Sequence, residues 1–239
     1  MRVNADHIKL SVLVLAIIGL YGFSNHRSNL KKVNEISIKF LGDNDLYLTE
    51  ATVNKLLMKN YGSLKNRPKE EVALNTIEQL VESNAMVKNA QVYFTVNGDL
   101  ITKIVQRRPI GRVEGASKFY LDDQGKHMPL SKNHSARVPI ITGKITGKSL
   151  EDAYTILEYI NKDEFLRMNV IGIHIEDEGS YQLKFRMENF VVDLGGIENL
   201  NEKFKNFMAF YAKATKDKTL EKYATVSLEF ENQVVCTKI

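Results

Sequence analysis

The 239-residue chain has one cysteine, Cys236, so it can form no internal disulfide and offers no thiolate pair for a metal or a redox motif. The bland reading of that thiol is a small apolar residue in a strand. Charge of one sign is not concentrated either. Net charge is +4 and the pI about 8.9, but basic residues are scattered among carboxylates and the longest true cluster is Arg107-Arg108. A nucleic-acid face needs its cations gathered on one side, so nucleic acid is not an expected partner. Catalytic sets are missing as well. His7, His26, His127, His134 and His174 form no nucleophile, base and orienter group, no serine stands in a G-x-S-x-G elbow, and Gly195-Gly196 has no following lysine. Asp122 and Asp123 are strand neighbours whose side chains point to opposite faces, and the DDQG stretch they open is turn chemistry. No enzyme activity, cofactor, metal or small-molecule substrate is expected.

One long apolar run is present. Residues 10–23 read LSVLVLAIIGLYGF, without charge and without a polar face. A helix over residues 8–24 measures about 25 Å, short of a hydrocarbon core of about 30 Å. Lys9 and Arg27 could snorkel to cover the difference. Three readings compete: a single-pass anchor, a cleaved signal peptide with a small-x-small site at Gly22-Phe23-Ser24, and a core helix, which the lack of a polar face disfavours. The two leading readings carry everything after residue 30 across the membrane.

Residues 33–40 alternate, with Ile36, Ile38 and Phe40 on one face of a strand, and GDND at 42–45 is a turn. Thr49 is suited to cap a helix that Gly62 stops. Pro68 fits the first turn of a second helix striped by Ala73, Ile77, Leu80 and Val81. Val92, Phe94 and Val96 alternate into Asn97-Gly98, a type I′ hairpin signal, and a strand returns to about Arg107. The order is strand, helix, helix, strand, strand: a compact α+β unit. Its second strand, residues 87–96, and the hairpin are expected docking regions.

The remainder alternates strands with two helical stripes. A strand over 119–122 runs into the DDQG turn. Ser149 with Asp152 is a capping-box-like start for a stripe of Leu150, Ala153, Tyr154, Leu157 and Ile160. Three strands follow, carrying Ile171, Ile173 and Ile175; Tyr181, Leu183 and Phe185; and Phe190, Val192 and Leu194, with a turn at 177–179 between the first two. A second stripe holds Leu200, Phe204, Phe207, Met208 and Tyr211. In the last long strand Val226, Leu228 and Phe230 take the inner face and Thr225, Ser227 and Glu229 the outer; Glu231-Asn232 turns the chain back. The expected architecture is a mostly antiparallel sheet with helices on one side.

Several segments together resemble the FtsQ/DivIB family of bacterial cell division. ISIKFLG at 36–42 and the element order resemble a POTRA domain. IVQRRPIG at 104–111 resembles the family's V-x-E-R-x-P-I-A junction, with Gln106 for the glutamate and Gly111 for the alanine. FYLDDQG at 119–125, the P-L at 129–130 and VPIITG at 138–143 resemble later family segments. The resemblance implies residues 1–32 as cytoplasmic tail, transmembrane anchor (about 8–24) and linker, 33–108 as a POTRA-like domain and 109–239 as the FtsQ-type β domain. Arg108 and Pro109 would form a stiff hinge. It further implies a non-enzymatic, single-pass scaffold of the divisome in the inner membrane, its bulk periplasmic, at the division septum, with FtsB and FtsL as partners. YATVSLEF at 223–230 resembles the family strand that pairs with an extended FtsB segment, which makes Tyr223, Thr225, Ser227, Glu229, Phe230 and Glu231 the expected partner-binding residues. Ser227 and Glu229 replace the usual aspartate and arginine, so ion pairs there do not carry over. The alternative is a secreted periplasmic POTRA-type chaperone or assembly factor.

Overall fold

A computed structural model describes residues 5–29, 32–42, 47–177 and 179–239. Linker residues 30–31, residues 43–45 of the expected GDND turn and residue 178 of the expected 177–179 turn lie outside the described residues. The chain divides into two compact units, Met1–Gln106 and Arg107–Ile239.

The first unit opens with helix α1 (Ala5–Asn29). Leu10, Leu15 and Leu20 on it are 60%, 67% and 69% exposed, which removes the core-helix reading. Among the described residues no helix is long and apolar enough to cross a membrane. The transmembrane span expected over 8–24 is not found among them. The apolar run at 10–23 is short, about 21 Å of helix.

Then come β1 (Ile36–Leu41), α2 (Glu50–Tyr61), a single 3₁₀ turn (Lys69–Glu71), α3 (Leu74–Glu82), β2 (Val87–Phe94) and β3 (Leu100–Gln106). The sheet order is β1-β3-β2, with β3 parallel to β1 and antiparallel to β2. Ile38, Val53, Leu57, Ile77, Val81, Val92 and Ile104 fill the core between sheet and helices. Thr49 caps α2, its hydroxyl accepting from the Thr52 N–H at 3.3 Å, and Gly62 ends it at φ 66°. Two local expectations need correction. Pro68 precedes the 3₁₀ turn rather than α3, because Val72 is pulled extended into the core and breaks the helical path before Leu74. The Asn97-Gly98 hairpin is present but not type I′, since only Gly98 has positive φ, at 100°. Thr95 and Asp99 close a three-residue loop instead, the Thr95 N–H donating to the Asp99 carbonyl at 2.9 Å.

The second unit contains β4 (Pro109–Glu114), β5 (Lys118–Asp122), β6 (His127–Pro129), β7 (Ile140–Gly143), α4 (Gly147–Lys162), α5 (Glu164–Asn169), β8 (Val170–Asp177), β9 (Ser180–Phe185), β10 (Val191–Gly195), α6 (Leu200–Lys216), β11 (Tyr223–Ser227) and β12 (Val235–Lys238). Its nine strands lie in the order β12-β11-β10-β9-β8-β7-β4-β5-β6. The pairs β4·β7, β7·β8 and β10·β11 are parallel and the rest antiparallel. One register row crosses the sheet through Val113, Ile141, Ile173, Leu183, Val192 and Val226. Ile156, Leu157 and Ile160 of α4, Leu166 of α5 and Phe204 and Phe207 of α6 share a single core with that row. Alternation along each strand is what puts one apolar row under the helices. The α4 cap is Thr146 with Ser149 as its third helical residue, not Ser149 with Asp152. Ser149 is fully buried because its hydroxyl closes that box, and Asp152 instead accepts from the Tyr181 hydroxyl at 2.6 Å. The short α5 had no sequence signal beyond Asp163, whose carboxylate caps it through the Leu166 N–H at 2.8 Å.

Candidate functional site

The strand carrying half of the expected partner-binding residues, Tyr223, Thr225 and Ser227, is not at the edge of the sheet. Thr225 lies between Val191 of β10 and Thr237 of β12, and Ser227 between Asp193 and Val235. The backbone of β11 is thus paired on both sides, and β12 is the terminal strand. The reason is local. β11 stops at Ser227, the Leu228 N–H turns to the Asp193 carbonyl at 2.7 Å, and Asn232 at φ 58° reverses the chain so that β12 returns antiparallel on the outer side. The Ile239 N–H donates back to the Lys222 carbonyl at 3.0 Å. N–H and C=O of one residue leave an antiparallel strand on the same side and alternate along it. Thr237 and Val235 therefore face β11, while Cys236 and Lys238 direct their backbone groups outward, where the sheet has no further strand.

The side chains divide into two groups. Val226 and Leu228 are buried as expected, but Phe230 is 49% exposed and does not take the inner face. The strand has ended before it, so the alternation no longer applies. Tyr223 is half-buried and meets the Phe210 ring edge-on, with a centroid distance of 5.4 Å. Thr225 and Ser227 lie on the face opposite the Val192–Val226 row. Glu229, Phe230 and Glu231 instead line a groove of about 140 Å³ with Glu198, just before α6, and Glu202 and Lys203 in its first turn. The Lys203 ammonium donates to the Leu194 and Gly196 carbonyls at 2.9 and 2.8 Å. Burial lowers its pKa, opposed by the charges of Glu198, Glu229 and Asp193. This lysine staples the end of β10 to α6, a role its sequence position does not advertise.

Arg108 and Pro109 both belong to the second unit, and Pro109 is the first residue of its sheet. Pro109 opens β4 opposite Asp122, and the Arg108 carbonyl accepts from the Asp123 N–H at 2.9 Å. Asp122 is fully buried and organises its turn: one oxygen accepts from the Gln124 and Lys126 N–H groups at 2.9 and 2.7 Å, the other pairs with Arg107 at 2.7 Å. In the first unit β2 is an edge strand, as the docking expectation requires. Two of its outward N–H groups are already used. Ala90 donates to Glu82 at 3.0 Å and Val92 to Glu78 at 2.6 Å. Gln106, whose partners are remote in the sequence, is 5% exposed. Its side-chain oxygen accepts from the Tyr47 and Leu48 N–H groups at 3.0 Å each, and its amide donates to the Leu48 carbonyl at 3.2 Å.

Among the described residues no group of three or more His, Cys, Asp or Glu side chains is placed to hold a metal ion. A family model described as FtsQ/DivIB, C-terminal related, matches residues 108–237, and one described as a POTRA-like domain matches residues 32–105. No curated protein matches the chain.

Proposed function

Because the chain belongs to the FtsQ/DivIB C-terminal-related family of cell-division proteins, with a POTRA-like domain preceding that region, we propose that it is a non-enzymatic, membrane-anchored scaffold linking division proteins at the septum. The observation that carries this reading is the terminal strand β12. It is the last strand of a nine-stranded sheet and turns the backbone of Cys236 and Lys238 outward. An extended segment of an FtsB-type partner, accompanied by FtsL, would continue the sheet there by main-chain hydrogen bonds. Side chains of the neighbouring loop, Glu229, Phe230 and Glu231, would contact its flanks. The apolar run at 10–23 supplies the anchor, with snorkelling at Lys9 and a locally thinned bilayer making up for its length. Pro109 keeps Arg108 extended and stiffens the link between the two domains.

The test is a titration of the full chain in detergent micelles with the partner's extended segment. Proline at Lys238 removes an outward donor without removing a β11–β12 bond. Lys238→Pro should weaken binding by about five- to tenfold relative to Lys238→Ala. Circular dichroism confirms that both variants fold, and equal affinities would reject strand addition at β12.

A further inference from the structure

We infer that Glu78 and Glu82 form a built-in guard that closes the free edge of β2 against antiparallel pairing with β2 of a second copy of this chain. An unpaired edge strand offers alternate N–H and C=O groups to any other strand. Here the sheet order β1-β3-β2 leaves β2 outermost. Its outward donors at Ala90 and Val92 are held by carboxylates of the chain's own α3. Glu82 also accepts from the Asn89 side-chain amide at 3.3 Å, which steadies it over the strand.

The match follows from two repeats. Four residues of α-helix rise about 6.0 Å. Two residues of strand rise about 6.7 Å. Carboxylates four apart on a helix therefore reach amides two apart on an adjacent strand. The helix must run antiparallel to the strand, and it does: the later glutamate, Glu82, meets the earlier amide, Ala90, and Glu78 meets Val92. Packing sets the distance. Ile77 and Val81 of α3 are buried with Val87, Ala90 and Val92 of β2 in one core, which seats the neighbouring positions Glu78 and Glu82 at the strand's rim. The segment they cover, VKNAQVYF, carries Val, Tyr and Phe and little charge. In a pairing centred on Gln91, Ala90 would meet Val92 of the other copy and Asn89 would meet Tyr93, so the open edge would suit self-association. The guard is independent of the scaffold reading and rests only on the first unit's geometry.

Amide hydrogen exchange on the full chain, read residue by residue, tests it. In the unaltered protein Ala90 and Val92 should be protected. Glu78→Ala with Glu82→Ala should speed both amides roughly tenfold or more, while the inward amides of Gln91 and Tyr93 keep their rates. Glu78→Gln with Glu82→Gln, whose side-chain carbonyls still accept, should behave as the unaltered chain. Sedimentation should then show dimers only for the alanine pair. Gln91→Cys, placed in a Cys236→Ser background, should cross-link between copies only when both glutamates are alanine. If the alanine pair loses protection throughout β3, the single variants decide: Glu78→Ala should free Val92 alone and Glu82→Ala should free Ala90 alone. Rapid exchange at Ala90 and Val92 in the unaltered chain, or unchanged exchange in the alanine variants, overturns the guard. So does faster exchange without dimers, which would leave the carboxylates as simple caps.

Discussion

Gln106 uses both ends of its side chain, and that explains why an amide rather than a carboxylate suits this place. Its oxygen accepts from two backbone N–H groups and its nitrogen donates to the Leu48 carbonyl, all inside the first unit. Gln106→Ala strands those groups and should cost on the order of 2–3 kcal/mol in urea unfolding followed by circular dichroism. Gln106→Glu can replace the donor only while protonated. Burial raises the folded pKa of such a carboxyl, so the variant keeps its stability at low pH, below the unfolded value, and loses it as pH rises through the folded value. A second residue gives a pH dependence in the native chain. Burial, then the hydrogen bond to Glu188 at 2.7 Å, raises the Tyr211 pKa to about 12. The unfolded chain ionises first, near 10, so the stability this group contributes is present below pH 10 and is lost between about 10 and 12. Tyr211→Phe should flatten the fall of the urea midpoint across that window; an unchanged slope would remove Tyr211 as its source. None of these roles was legible in the sequence, because the partners of Gln106 lie 58 and 59 residues away.

Elements were more legible than contacts, and their limits are physical. Alternation and helical stripes placed the core residues Val226, Leu228, Phe204 and Phe207 because burial on one face imposes a period. The same alternation misplaced Phe230, since nothing in a period says where a strand stops. It also could not reveal that β11 pairs with β10 across the intervening α6, which is a non-local choice and decides which strand is the edge. The consequence is testable. Thr225 sits between two paired strands, so Thr225→Pro should damage the sheet itself and lower the unfolding midpoint. Lys238→Pro should leave that midpoint nearly unchanged and act on binding alone. A midpoint for Thr225→Pro equal to that of Thr225→Ala would contradict the observed strand order.

At the scale of the whole molecule, the POTRA-like unit and the FtsQ/DivIB-related unit carry different edges. Two outward amides of β2 are held by carboxylates of its own domain, and β12 directs two backbone positions outward. If the apolar run anchors the chain, the protein in the membrane fraction should keep its full mass of 27.2 kDa. A form starting near Asn25 would instead make it a released protein. β12 is the proposed place where a division partner joins the sheet. Its most direct test places a photo-cross-linking residue at Lys238, and separately at Lys184 in the middle of the same sheet, in growing cells. The account predicts a cross-link to an FtsB-type single-pass partner from position 238 and none from position 184. Equal yields at the two positions, or none at 238 while the chain still supports division, would contradict it.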